Sequence, residues 1–139
     1  MGRYAFLLGL TLAGAPAFAA EPGARVLEHH GRWESGYGET FYNVVGRLKN
    51  TSGHPLAYVK LRINALDAKG KVVASTETFN ESAEGMSVPD LPADAKQALR
   101  SKLKPLPPDG EERFRGSFLK DETPAFTDYR VTVIETPAK

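Results

Sequence analysis

Tyr58-Val59-Lys60-Leu61-Arg62-Ile63-Asn64-Ala65 alternates without a break: Val59, Leu61, Ile63 and Ala65 take one parity, and Tyr58, Lys60, Arg62 and Asn64 the other. Successive side chains of a strand point to opposite faces, so this period of two predicts a half-buried β-strand with its aliphatic side on a core. Upstream the same pattern recurs. Tyr42, Val44, Gly46 and Leu48 share one parity, while Asn43, Arg47 and Lys49 take the other with Val45. Between the two runs, Asn50-Thr51-Ser52-Gly53-His54-Pro55 concentrates residues that bond their own backbone, accept a left-handed conformation or lack an amide donor. The expectation is a hairpin-type connection that pairs the two strands.

Downstream, Asp67-Ala68-Lys69-Gly70 predicts a turn, because Asp folds back on later amides and Gly supplies a positive φ. Residues 71–79 then return as a third strand, which suggests an antiparallel meander. Phe114, Gly116 and Phe118 alternate with charged or polar neighbours, and Tyr129, Val131 and Val133 alternate with Arg130, Thr132 and Ile134, which adds two strands near the C-terminus. Residues 26–33 supply an opening strand with a more mixed pattern.

The period changes once. Leu91, Ala95, Ala98, Leu99 and Leu103 trace one helical face, with Asp90 and Asp94 near the positive end and Arg100, Lys102 and Lys104 near the negative one. Pro92 suits a first turn, and Pro105, Pro107 and Pro108 stop the helix, so a helical insert is expected over about 90–104. Residues 80–89, rich in Glu, Ser and Gly, are expected as a flexible lead-in outside the core. Short strands, turns about every ten residues and no βαβ alternation select an all-β fold, an immunoglobulin-like antiparallel β-sandwich with one helical insert.

Arg3, the apolar run at residues 4–15 and Ala17-Phe18-Ala19 have the layout of a cleavable secretory signal over residues 1–19. Its apolar stretch is shorter than the roughly 20 residues that span a bilayer, so no membrane span is expected after cleavage. Residues 20–139 then form a single exported domain, periplasmic or secreted. The 18 Lys plus Arg nearly cancel the 17 Asp plus Glu, and this balance removes the electrostatic case for nucleic acid. With no Cys there is no disulfide framework, thiolate nucleophile or zinc ribbon, which leaves the hydrophobic core as the main source of stability.

Gly46, Leu48, Asn50, Ser52, Leu56, Val59, Leu61, Ile63, Asp67, Gly70, Lys71, Val72 and Val73 together resemble the FxLYD family and its bacterial relatives. The resemblance covers most of residues 41–135. Where the family's name-giving segment has Phe, Leu, Tyr and Asp, this chain reads Ile63, Ala65, Leu66 and Asp67, which retains the turn. The resemblance implies an immunoglobulin-like sandwich associated with bacterial envelopes, with no catalytic residue set to carry over.

Candidate chemistry is sparse. Adjacent His29 and His30 project to opposite faces of a strand and His54 lies in a Pro-containing turn, so no metal set forms at suitable spacing. Gly85-Met86-Ser87-Val88-Pro89 lacks the second glycine of a nucleophile elbow, and Ser117 lies in an alternating strand without an indicated base. Gly36-Tyr37-Gly38 reads as a turn, since no helix follows to receive a phosphate, and Glu111-Glu112 point apart on a strand. No enzyme and no cofactor is expected.

Two surfaces remain as partner-binding candidates. If the first two clear strands pair, Arg47, Lys49, Lys60 and Arg62 form a basic outer stripe beside Tyr58, suited to an anionic envelope component. Trp33, Tyr37, Phe41 and Tyr42 form the densest aromatic group and flank the Gly36 to Gly38 turn, as either core or a recognition surface. The function expected is a non-catalytic interaction or accessory module of the bacterial envelope, with an envelope protein or anionic component as partner and the oligomeric state left open. The alternative is a carrier holding a small apolar ligand or glycan between the helix and the sheet.

Overall fold

The computed structural model describes residues 22–139, so the signal-like segment lies outside the described residues. Among the described residues six strands form two antiparallel three-stranded sheets. One contains β1 (Ala24–Gly36), β2 (Glu39–Asn50) and β5 (Glu111–Leu119) in the order β1-β2-β5. The other contains β3 (Lys60–Leu66), β4 (Val72–Phe79) and β6 (Asp128–Glu135) in the order β4-β3-β6. In immunoglobulin lettering these orders are A-B-E and C′-C-F, so the expected sandwich is observed. Between β4 and β5, where strand D would run, the chain forms a 3₁₀ segment (Glu81–Ser87) and helix α1 (Ala93–Ser101).

The expected meander is corrected at its first link. β2 pairs with β1 and β5, and β3 pairs with β4 and β6, so residues 50–55 carry the chain from one sheet to the other. The physical reason is Asn50, whose side chain is fully buried. Its Nδ2 donates to the carbonyls of His54, Leu106 and Pro107, and its Oδ1 accepts from the Ser52 amide and hydroxyl. Its backbone also pairs with Asp109 and Gly110 at the entry to β5. The polar run therefore forms a corner knotted to the segment before β5, and β3 departs into the second layer.

The inward parities are those the alternation predicts. Val44 and Leu48 from β2, Leu61, Ile63 and Ala65 from β3, and Phe114 and Phe118 from β5 are buried, with Leu56, Val59 and Leu106 closing one end. Each large side chain among them contributes about 1.5–3 kcal/mol by leaving water. The Asp67 turn also forms as expected: its carboxylate accepts from the Lys69 and Lys71 amides, and Gly70 takes φ 82°.

Of residues 80–89, expected as a flexible lead-in outside the core, Asn80, Ala83 and Met86 are corrected to core, and the others are exposed. Ala83 and Met86 are buried in a cluster with Ala57, Tyr58, Phe79 and Leu103. Glu112 holds the segment by accepting from Asn80 Nδ2 at 2.8 Å, from the Ser82 amide at 2.9 Å and from the Ser82 hydroxyl at 2.6 Å. Helix α1 is shorter than the expected 90–104 because Pro92 caps it and Lys102 ends it. It docks through its C-terminal end only: Leu99 is partly buried and Leu103, beyond the helix, is buried, while Ala95 and Ala98 face solvent.

Candidate functional site

The basic stripe does not assemble. Because β2 and β3 belong to different sheets, Arg47 and Lys49 lie on the outer face of one layer, and Lys60 and Arg62 on the outer face of the other. Each is matched by acid: Arg47 by Glu28 at 2.7 Å and by Glu111, Lys49 by Asp109 at 3.9 Å, Lys60 by Glu77 at 3.2 Å, and Arg62 by Glu77 at 2.9 Å. The hydrogen bond from Arg62, reinforced by Lys60, holds the Glu77 carboxyl below the usual carboxylate range. Tyr58 is not a solvent contact either. It is buried edge-on against Phe79, its hydroxyl donates to Glu135 at 2.8 Å, and the Arg100 guanidinium lies 5.4 Å from its ring centre.

The aromatic group does assemble, in altered membership. β2 meets β5 only from Phe41 onward, where it faces Leu119, so residues 35–40 extend beyond the sheet as a two-stranded arm. At its apex Tyr37 and Gly38 have φ 53° and 80°, the signs of a type I′ turn, which matches the twist of the flanking strands. The left-handed region disfavours a bulky residue such as tyrosine, and the Tyr37 side chain is nonetheless fully exposed.

At the base of the arm, Trp33 sits opposite Tyr42 with ring centres 5.1 Å apart, and 5.6 Å from Phe126. Phe126 also touches Phe118, and Tyr42 reaches Tyr129, whose hydroxyl lies 2.7 Å from His29 Nδ1. Gly31 makes room for Tyr42: a Cβ at Gly31 would lie 2.6 Å from the Tyr42 ring. Burial pushes the Tyr42 and Tyr129 phenols up, so both remain protonated hydrogen-bond donors at neutral pH. Trp33 forms the outer layer of this cluster, 47% exposed, with Lys120 Nζ 5.9 Å from its ring centre. Phe41 takes the opposite parity and so the opposite face of β2 from Tyr42.

Local density in the sequence pointed to Trp33, Tyr37 and Tyr42 but not to His29, Phe126, Tyr129 or Lys120. Lys120, Phe126 and Tyr129 come from other segments that no spacing connects to the arm, and His29, on β1 itself, is tied to the cluster only through Tyr129.

The space between the helix and the sheet is filled by Tyr58, Phe79, Met86, Leu99 and Leu103, and a shallow hollow of about 210 Å³ remains beside Ala57, Gln97 and Arg100. A larger groove of about 550 Å³ crosses the outer face of β2 and β5, where Arg47, Arg113 and Arg115 are interleaved with Glu28, Glu81 and Glu84. Among the described residues no group of three or more His, Asp or Glu side chains is placed to hold a metal ion. The Ser117 hydroxyl donates to Asn43 Oδ1. No helix among the described residues is long and apolar enough to cross a membrane. Compared with known proteins, the chain matches no family model, no curated protein and no solved structure.

Proposed function

We propose that this chain is an exported, non-catalytic interaction module of the bacterial envelope, of the FxLYD-like kind, that meets its partner through the β1–β2 arm. The observation that carries the reading is Tyr37: a large aromatic ring wholly in water, on a backbone conformation that disfavours its side chain, at the tip of a projecting hairpin. Exposed rings on rigid elements are the usual anchors of recognition surfaces, and local strain of this sort persists where surrounding structure enforces it. The half-exposed Trp33 at the base of the same arm extends the surface. Export rests on the signal-like order of residues 1–19.

A photo-crosslinking side chain introduced at Tyr37 in living cells tests the contact, with the same group at exposed His54, at the other end of the sandwich, as control. A discrete adduct from position 37 that weakens with Trp33→Ala is expected. Equal labelling from both positions, or none from position 37, removes the arm as the contact. Recovery of the chain from the envelope fraction with an N-terminus at residue 20 is the matching expectation for export.

A further inference from the structure

From the inner face of the arm we infer that it is a binding platform for a neutral pyranose glycan, stacked on Trp33 and hydrogen-bonded by Ser35 and Thr40. The inference rests on the arm being the contact surface and names the chemistry that it takes. Trp33 and Tyr42 face each other across the hairpin, and Ser35 and Thr40 form the next pair on the same side, two residues further out. One step of two residues along a strand is about 7 Å, so a half-exposed indole is followed, within about one sugar unit, by a pair of hydroxyls. The Ser35 and Thr40 oxygens lie 3.0 Å apart and bond each other at the surface, a pairing that a sugar hydroxyl can join or replace.

An equatorially linked pyranose has the complementary construction: a flat C–H face for an aromatic ring and hydroxyls around its edge. Aromatic side chains with one apolar face and polar neighbours suit a ligand that is itself amphipathic. Lys120, an exposed side chain whose Nζ lies over the indole, swings aside for a stacked sugar and then supplies a further donor at the rim. Charge narrows the class. Arg32 is engaged by Glu34, and Glu39 and Asp128 stand against Lys120 and Arg115 around the arm, so there is no excess of positive charge to select a polyanion.

Trp33 is the only tryptophan of the chain, so its emission reports this platform directly. Titration of the full exported domain with cellohexaose, and separately with the β-1,4-linked hexamer of N-acetylglucosamine, should give a saturable emission change with at least one of them. The two arms separate a glucan from an amino-sugar chain. Affinity should be unchanged between low and high salt, because no ion pair is formed. By calorimetry, Trp33→Ala should weaken binding about tenfold or more, and Trp33→Phe should retain part of it. Ser35→Ala combined with Thr40→Val should weaken it severalfold while the thermal unfolding midpoint stays near that of the parent.

Binding that survives Trp33→Ala, or that collapses with salt, overturns the inference. Absence of both emission change and heat with either oligomer overturns it too. If position 37 still crosslinks in cells in that case, only the glycan assignment falls; if it does not, the contact surface falls with it.

Discussion

The Asn50 side-chain amide donates to the carbonyl oxygen of Leu106 at 2.9 Å, inside the sandwich and across 56 positions of chain. Leu106 is itself almost fully buried, in the same cluster as Leu48, Leu56 and Phe114. One polar side chain thus joins the sheet-crossing corner to the segment that enters β5.

Replacement of Asn50 by Leu should be among the most destabilising single changes. It removes one donor from each of the carbonyls of His54, Leu106 and Pro107, which keep their bonds from the Ser52 hydroxyl and from the Leu56 and Gly110 amides, and it leaves the Ser52 amide without an acceptor, at about 1–3 kcal/mol for a group left unpaired. A loss of about 2 kcal/mol or more in urea unfolding is expected, with Asn50→Asp recovering the Ser52 contacts only.

Glu112→Ala should loosen the 3₁₀ segment without unfolding the sandwich. Asn80 would keep its bond from the Val59 amide at 2.8 Å but lose its acceptor, and Ser82 would lose both of its bonds. Hydrogen exchange at the Ser82 amide should accelerate at least tenfold while exchange in β3 is unchanged, a difference of about 1.4 kcal/mol confined to the segment.

Gly31→Ala probes the base of the arm. The added methyl would meet the Tyr42 ring, which must swing away or displace β1, at about 1–3 kcal/mol. Because Tyr42 touches Trp33, the emission of Trp33 should shift as well. An unchanged spectrum with an unchanged midpoint would mean that the ring moves freely.

Glu77 gives a pH dependence of known sign. Its folded-state value is depressed by Arg62 and then by Lys60, so its contribution is present above the ordinary glutamate range and is lost as pH falls through the folded value. Glu77→Gln should lower stability slightly at neutral pH and flatten the acid limb of the stability profile. The pair is largely solvent-exposed, so screening keeps the effect small, and added salt should shrink it further.

The inward parity of the strands was legible, although β3 begins at Lys60, two residues after the alternation starts, and β1 runs over Ala24–Gly36, beyond the expected 26–33. Leu61, Ile63 and Ala65 are buried as their parity requires, and the Asp67–Gly70 turn forms with the bonds its residues invite. The pairing of strands was not. Asn50, Ser52 and Pro55 suit a hairpin and a sheet-crossing corner equally well, and the difference lies in the carbonyls of Leu106 and Pro107, which are distant in sequence. The same holds for Glu112: local order places it on a strand, and only the folded chain shows it gripping Ser82.

The candidate site divides in the same way. By itself the amino-acid sequence determined the alternation that makes the sheets, the turns that end the strands and the aromatic richness around Gly36. Only the tertiary structure decided that Arg47 and Arg62 lie on opposite layers, and that Trp33 is completed by Phe126 and Lys120. Periodicity sets which way a side chain points because backbone geometry is local. What it meets there depends on contacts between distant segments, and those form only when the two sheets close on one core.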